Sequence, residues 1–250
     1  MVDILLPAFF LSLVLLGIHS YFGIEIIKRG IIFTDLAVGQ MAALGAATSL
    51  LFFDGLYIYP ISLSFALIGG LLIAFASRKT ENLEAFIGLL YAFGLSGVFI
   101  LLSKSPHGAE EFQNLMASDI LFTANSEILK VAVIYSLLGV FIYFTMAKTK
   151  GFLKEILFFV TFSVTVTSSV KLAGVLVVFA LLIGPALIAL YIKIGKQIIN
   201  AWIIGTVINL MAITISYNFD FPTGYTLVFA HSLLAGLIFL IFGKKNEKLI

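Results

Sequence analysis

A stretch of twenty residues, Val170–Ala189, carries a single charged side chain and limits the possible folds of this chain more than any other feature. It reads VKLAGVLVVFALLIGPALIA, with Lys171 as the charge and Pro185 as the only proline. About 20 apolar residues in a helix cross a hydrocarbon layer roughly 30 Å thick. Proline frees one backbone carbonyl, and lipid offers no donor to it, so such a span favours the interior of a helix bundle. We therefore expect a helix irregularity at Pro185, where the span bends during gating.

Composition excludes a water-soluble protein. The 250 residues are 61% hydrophobic and 11% charged, and the mean hydropathy is +1.15. Soluble domains carry about 25% charged residues, so too little polar surface is available here to coat a globule. The chain has no cysteine, which excludes disulfides, thiolate metal sites and cysteine nucleophiles. The N-terminus lacks the basic segment and cleavage site of a signal peptide, so we interpret it as the first span.

Apolar runs between charged or turn-rich breaks predict an all-α polytopic membrane bundle with about nine transmembrane helices. The boundary between the sixth and seventh spans is placed at Ser168–Lys171, because one forty-residue helix would be too long for a single crossing. We expect a single transmembrane domain over residues 1–250 and no soluble domain. The predicted spans are 4–27, 31–53, 57–76, 84–104, 128–147, 155–169, 172–193, 198–216 and 224–243.

The connections between these spans alternate between basic and acidic. The basic set comprises Lys28, Arg29, Arg78, Lys79, Lys148, Lys150, Lys154, Lys193, Lys196, Lys244 and Lys245. The acidic set comprises Asp3, Asp54, the loop 105–127 and the turn around Asp220, and Lys171 is the main exception. Because Lys and Arg accumulate in cytoplasmic loops, this alternation predicts an external N-terminus and a cytoplasmic C-terminus in a multi-pass protein of the cell (inner) membrane. Nine spans satisfy the alternation, whereas eight do not.

The outer loop 105–127 is the longest polar stretch. Its apolar residues recur at roughly helical spacing, which predicts a short interfacial helix. Two interpretations remain open for this loop: a lid lying on the bundle, or a docking surface for an external partner. The acidic side chains that would form the docking surface are Glu110, Glu111 and Asp119, together with Asp220 of the last outer turn.

Several ionisable or polar side chains fall inside the predicted spans, where they are costly and usually face the bundle interior. Equal distances from the Lys28–Gly30 turn place His19 and Gln40 each about 15 Å deep, near the midplane. Similar counting puts His231 at middle depth, and Asp35 and Glu25 nearer the cytoplasm. Carboxylate and imidazole are ligands of divalent first-row metals, so these five residues predict a cation path. The alternative is structural: each histidine bonds a neighbouring helix, and Glu25 pairs with Lys28 or Arg29.

No pattern in the chain indicates an enzyme. There is no H-E-x-x-H pair and no Walker motif, and the carboxylates are too scattered for paired acid–base chemistry. We therefore predict no catalytic residue, no permanently bound cofactor and no nucleic-acid partner. If ATP drives this protein, a separate chain must bind it.

Several segments, taken together and in order, resemble the permease subunits of the ATP-binding-cassette family that imports zinc, manganese or iron. Lys171–Ala189 resembles the family's K-x-x-G-V-L-L-V-F-A-L-L-I-x-P-A-x-x-A span, and Ile215–Val228 its S-x-x-x-D-x-P-T-G-x-x-I-V turn. Leu83–Leu102 is similar to D-x-x-I-G-x-x-F-A-x-G-x-x-x-G, with Glu84 in place of the aspartate. Leu115–Leu121 resembles L-F-G-D-I-L, and Asp35 matches the family's aspartate after the first span.

This resemblance implies a permease with divalent metal as its transported substrate. It also implies a homodimeric or paired assembly, two cytoplasmic ATPases and an extracellular metal-binding protein. Zinc and manganese carriers usually have a histidine shortly after the aspartate, where this chain offers Gln40 as the nearest polar residue. The family's D-x-x-x-A-x-x-x-G segment for ATPase contact is replaced by a short basic connection with Lys148, Lys150 and Lys154. An ATP-independent cation transporter or channel, and a structural or sensory subunit, therefore remain as alternatives.

Overall fold

A computed structural model describes residues 2–117, 120, 123–192 and 195–242 of the chain, with side chains from residue 5 onward. The long elements in these ranges are all α-helices. They are α1 (Val2–Arg29), α2 (Thr34–Phe53), α3 (Ile58–Ala76), α4 (Leu83–Leu102), α5 (Gly108–Met116), α6 (Asn125–Met146), α7 (Gly151–Ala173), α8 (Val175–Ile192), α9 (Gln197–Phe219) and α10 (Thr223–Phe242).

Nine of the helices in the described ranges are long and apolar enough to cross a membrane. The short helix α5 is the exception, and it lies in the loop 105–127 where the sequence predicts a short helix. The all-α, nine-span prediction is therefore confirmed, and most helix ends lie within a few residues of the predicted ones. The orientation of the termini stays a prediction.

The break between the sixth and seventh spans lies at Gly174, a few residues beyond the predicted position. Ser168 and Ser169 do not end α7, because both hydroxyls donate to the Thr165 carbonyl within the helix, each at 2.9 Å. Gly174 does end it, with φ 84° and ψ 162°. That backbone region is almost restricted to glycine. Lys171 lies in the last turn of α7, where a cation interacts favourably with the helix dipole.

The chain divides into two compact units. The first comprises residues 1–32, 117–132 and 176–250, and contains α1, α9, α10 and nearly all of α8. The second comprises residues 33–116 and 133–175, and contains α2, α3, α4, α5 and α7. Helix α6 contributes to both units. A single permease domain over residues 1–250 stays a prediction.

Small residues on α2 and α4 bring the helices of the second unit close together. A Cβ at Gly45 of α2 would lie 2.6 Å from the Ser62 Cα on α3. A Cβ at Gly94 of α4 would lie 2.9 Å from the Gln40 Cβ on α2. Ser163 of α7 donates a 3.0 Å hydrogen bond to the Ala66 carbonyl on α3. Between membrane helices, such close approach and polar bonds replace the hydrophobic effect as the source of association.

Glycines and a side-chain hydrogen bond also bring the helices of the first unit close together. Gly23 of α1 lies directly against the Leu182 carbonyl of α8, which leaves no room for a side chain. Gly205 of α9 packs against Leu16 of α1. The Trp202 indole N–H donates to the Gly17 carbonyl at 3.0 Å. Helices α1, α8 and α9 are therefore held at short range by backbone contact.

Burial differs strongly between the spans. About 67% of the spanning window of α2, α7 and α8 is buried, against 22% for α6 and 17% for α10. The exposed residues of α6 and α10 are large and apolar, among them Leu129, Leu237 and Leu240. Such surfaces suit contact with acyl chains, whereas the buried polar side chains from which a site can be built lie mainly on α1, α2, α7, α9 and α10.

Candidate functional site

Asp35 is the most unusual side chain in the membrane-spanning region. It lies in the first turn of α2 and is 1% exposed. Neither of its carboxylate oxygens has a hydrogen-bond partner among the described residues, and the same holds for the hydroxyl of Thr34. The positive end of the α2 dipole favours a negative charge at this position. A buried carboxylate without a partner destabilises the folded chain. Its oxygens are ligands that a passing cation could take.

A second carboxylate contacts the same end of α2. Glu84, at the start of α4, accepts a 3.1 Å hydrogen bond from the Phe33 backbone N–H through Oε1. Its Oε2 has no hydrogen-bond partner within the described ranges. Glu84 was not among the predicted site residues. Its position in the family-like motif of α4 could have identified it, because it replaces the aspartate of that motif. Its cross-helix cap adds negative charge to the first turn of α2.

Gln40 lies farther along α2 and is also 1% exposed. Its Nε2 lies 3.6 Å from the Met116 Sδ, and its Oε1 has no hydrogen-bond partner in the described part of the chain. Five residues of α-helix rotate by about 140°, so Asp35 and Gln40 face different sides of α2. One position that shares a face with Asp35 is Gly39, where an added Cβ would lie 3.0 Å from the Val175 Cγ1. This packing leaves little room for a histidine beside Asp35 on that face.

His19 of α1 is fully buried in the first unit. Its Nδ1 lies 2.7 Å from the Leu15 carbonyl, so Nδ1 carries the proton and donates it. In the neutral ring, Nε2 then carries the lone pair. A backbone carbonyl commonly orients metal-binding histidines in this way, and the same bond also suits a histidine with a structural role.

His231 of α10 is paired within the first unit. Its Nε2 lies 2.8 Å from the Asn209 Oδ1 on α9, and both residues are fully buried. The backbone of α8 passes close by, since a Cβ at Gly184 would lie 3.2 Å from the His231 Nδ1. Asn209 was not among the predicted site residues, because an asparagine in a span carries no specific motif. This pair fits the structural alternative, whereas the lone pair on Nδ1, which has no hydrogen-bond partner among the described residues, fits a ligand.

Pro185 lies inside α8, which continues without interruption from Val175 to Ile192. A Cβ at Gly205 of α9 would lie 3.0 Å from the Pro185 Cγ, so α9 packs directly on the ring. Pro185 is buried, as expected for a bundle-interior proline, but the helix irregularity expected at this residue is not seen in α8. Its role in gating stays a prediction.

Glu25 forms a long ion pair with Arg29, at 3.8 Å between Oε2 and the guanidinium nitrogen. Both side chains are partly exposed. This pairing is the alternative that the sequence leaves open for Glu25. A metal role for Glu25 would require exchange of the Arg29 contact for a cation.

The predicted metal residues do not form one preformed cage. Among the described residues, no three histidine, aspartate or glutamate side chains gather closely enough to hold a metal ion. Asp35 and Gln40 belong to one compact unit, and His19, Glu25 and His231 belong to the other. The metal role of each of these residues stays a prediction.

The predicted partner-contact residues lie mostly at the surface. Glu110 of α5 and Asp220 are exposed, and Glu111 is partly buried. Asp220 ends α9 in a left-handed conformation with φ 54°. Lys148 and Lys150 are exposed in the connection from α6 to α7, and Lys154 is partly exposed in α7. Asp119, the remaining acidic candidate, lies outside the described residues.

Comparison with known proteins gives consistent results. A "Probable iron transport system membrane protein" of Haemophilus influenzae is 26% identical, over 99% of this chain and 95% of that protein. The "Manganese transport system membrane protein MntC" of Listeria monocytogenes is 26% identical, over 92% of this chain and 90% of that protein. The solved structure of PsaBC from Streptococcus pneumoniae in complex with Fab shares the fold at 19% identity. Its TM-score is 0.74, covering 98% of this chain and 94% of that one.

A family profile also matches nearly the full length of the chain. The profile of the ABC 3 transport family matches residues 1–242 and so includes all ten helices. Nine spanning helices and a multi-pass membrane fold agree with that match. The chain belongs to the ABC 3 transport family.

Proposed function

We propose that this chain is the membrane-spanning permease subunit of an ATP-driven importer of divalent metal ions, namely zinc, manganese or iron, or of their chelates. The observation that carries the proposal is Asp35, an acidic side chain buried in a spanning helix with both oxygens unpartnered among the described residues. Carboxylates in such positions typically mark ion pathways. Membership of the ABC 3 transport family supplies the ATP-driven context.

The cargo follows from ligand chemistry together with the names of the relatives. Those relatives are named for iron and for manganese transport. Carboxylate and amide oxygens suit manganese, and imidazole suits zinc or iron. The cation would contact Asp35, Gln40, His19, His231 and Glu25 singly as it moves, and Pro185 would allow α8 to bend.

The partners are proposed by the same reasoning. ATP hydrolysis would take place on a cytoplasmic ATP-binding-cassette ATPase, with Lys148, Lys150 and Lys154 at its contact. An extracellular metal-binding protein would dock on the acidic residues Glu110, Glu111, Asp119 and Asp220. The permease would act as a homodimer in the cell (inner) membrane.

The test is metal uptake by cells that express the chain together with the ATPase and the metal-binding protein proposed as its partners. We expect zinc, manganese or iron to accumulate, and we expect Asp35→Ala to abolish accumulation at an unchanged level of the chain in the membrane. Glu81→Ala, at an exposed position before α4, is the matched control. Equal accumulation in wild type and Asp35→Ala, across zinc, manganese, iron and nickel, would remove Asp35 from the pathway.

An ATP-independent cation transporter or channel is the second candidate. The observation in its favour is the short connection from Met146 to Gly151, which leaves four residues for an ATPase contact. Purification of the tagged chain from its own membranes separates the two candidates. A stoichiometric ATPase in the preparation, and loss of uptake when its nucleotide site is disabled, support the importer. Uptake that persists without the ATPase supports the second candidate.

A further inference from the structure

The short helix α5 doubles back along α4. Gly108, at its start, lies against the Leu102 carbonyl at the end of α4. One turn later the Phe112 ring lies 4.2 Å from the Phe99 ring, measured between centroids. At the end of α5, the Met116 Sδ lies 3.6 Å from the Gln40 Nε2. As the residue number rises along α5, the contacted position moves back along α4 from its end. Helix α5 therefore runs antiparallel to α4.

The end of α5 lies beside the middle of α4, a helix long and apolar enough to cross a membrane. Gln40 packs on Gly94 of α4, where an added Cβ would lie 2.9 Å from the Gln40 Cβ. Gly94 precedes the end of α4 at Leu102 by eight residues, which is about 12 Å of helix axis. Met116 contacts the same glutamine and is itself buried. Helix α5 is a re-entrant half-helix whose carboxyl end, at Met116, reaches the interior of the second unit.

The groups at this point are electron-pair donors. The Gln40 Oε1 is buried and has no hydrogen-bond partner within the described residues, while the amide N–H contacts the Met116 sulfur. The carboxyl end of any helix carries a partial negative charge. Interrupted helices in other membrane transporters use such ends to hold cations. A buried amide oxygen, a thioether and a helix carboxyl end together suit a cation better than an anion.

We propose that Gln40 and Met116 form a cation-contacting step of the transport path, and that the Met116 thioether determines part of the metal specificity. This inference rests on the proposed function as a metal importer. A passing ion would take the Gln40 Oε1 and the Met116 Sδ as ligands, and the weak N–H···S contact would give way. Thioether ligands favour zinc over manganese, which prefers oxygen ligands. The sulfur therefore raises zinc uptake relative to manganese uptake.

The alternative is that Met116 only fills space, which is a common role for methionine. Met116→Leu tests this directly, because leucine keeps most of the volume and removes the sulfur. Met41→Leu is the matched control. Met41 is the next residue on α2, is buried, and contacts Gly69 of α3. Both substitutions remove one buried thioether sulfur from the second unit.

The experiment measures competitive uptake of radioactive zinc and manganese by the complete transporter, with its ATPase and metal-binding protein. We expect Met116→Leu to lower the zinc-to-manganese ratio by about fivefold, which corresponds to about 1 kcal/mol. Met41→Leu should leave the ratio unchanged. Met116→Gln, which offers oxygen in place of sulfur, should lower the ratio at least as much and serves as a second variant where leucine reduces the amount of folded chain.

The outcomes separate this inference from the function it rests on. A ratio that stays at the wild-type value in whichever Met116 variant reaches wild-type membrane levels overturns the specificity role. An equal fall in both metals, with the ratio unchanged, does the same and points to packing. If the wild-type transporter accumulates neither zinc nor manganese, nor iron offered in the same assay, the proposed function itself fails.

Discussion

The His231 imidazole of α10 and the Asn209 amide of α9 meet in the interior of the first unit, 2.8 Å apart between Nε2 and Oδ1. Both side chains are fully buried. In lipid-embedded bundles, such a bond fixes the register of two helices that hydrophobicity alone leaves free to slide. The same bond holds the ring so that Nδ1 faces Gly184 of α8.

Loss of either member of this pair should destabilise the bundle, and the effects of the two substitutions should not be additive. We expect His231→Ala and Asn209→Ala each to lower the free energy of unfolding by about 1–3 kcal/mol, because each leaves the other partner buried and unsatisfied. The double variant should lose less than the sum of the two. Thermal unfolding of the purified chain in detergent measures this, with the exposed Asn218→Ala on the same helix as the control. Strictly additive losses would mean that the bond contributes nothing to stability.

The Asp35 carboxylate should lower the stability of the folded chain while it is required for metal uptake. We expect Asp35→Asn to abolish metal uptake while the midpoint of thermal unfolding stays the same or rises, because a neutral amide is less costly to bury than an unpartnered carboxylate. Uptake and thermal unfolding are measured on the same preparations. Glu81→Gln, at an exposed position, should change neither quantity. A marked fall in the unfolding midpoint of Asp35→Asn would show instead that the carboxylate is a structural group.

The close approach of α2 and α3 should tolerate no side chain at Gly45. A Cβ there would lie 2.6 Å from the Ser62 Cα and 2.7 Å from the Ile61 carbonyl oxygen, and neither backbone atom can move aside alone. We expect Gly45→Ala to destabilise the chain by about 1–3 kcal/mol, as overpacking generally does. Gly88→Ala on α4 has open space and should be neutral or stabilising by about 0.5–1 kcal/mol. Equal unfolding midpoints for the two variants would contradict the packing described for α2.

The joint between α7 and α8 should depend on glycine for a different reason. Gly174 has φ 84° and ψ 162°, a conformation that a Cβ disfavours whatever space surrounds it. We expect Gly174→Ala to cost about 1–3 kcal/mol in the free energy of unfolding. Gly139→Ala, in the middle of α6 with nothing near its Cβ, is the control. Denaturant or thermal unfolding of both variants tests the difference, and a Gly174→Ala midpoint at or above that of Gly139→Ala would speak against the strained joint.

The transmembrane fold followed from the sequence in large part. Long apolar runs such as Val175–Ile192 identify spans because a lipid-embedded helix must satisfy its backbone internally and present apolar side chains. The break at Gly174 was misplaced by a few residues for an equally local reason. Serines suggest a break in a sequence, yet Ser168 and Ser169 bond inside α7, whereas only the backbone angles identify the glycine that ends it.

The candidate site was predicted less completely. Asp35, His19 and His231 were found because a polar side chain within an apolar run is conspicuous, and all three are buried. Glu84, Asn209 and Met116 were missed because their importance lies in partners distant along the chain: Phe33, His231 and Gln40. The spacing of residues within one helix does not predict contacts between distant segments of the chain.

The sequence by itself determined which helices of the described ranges are long and apolar enough to cross a membrane, and which of their side chains are too polar for lipid. Both properties depend on the local transfer of residues from water to hydrocarbon. Only the tertiary structure decided which helices touch, that α5 turns back to bring Met116 onto Gln40, and that Asp35 is left without a partner among the described residues. The physical reason is that lipid tails are as apolar as leucine. Hydropathy therefore does not determine which helices pack together. Close packing and polar contacts between distant segments determine it.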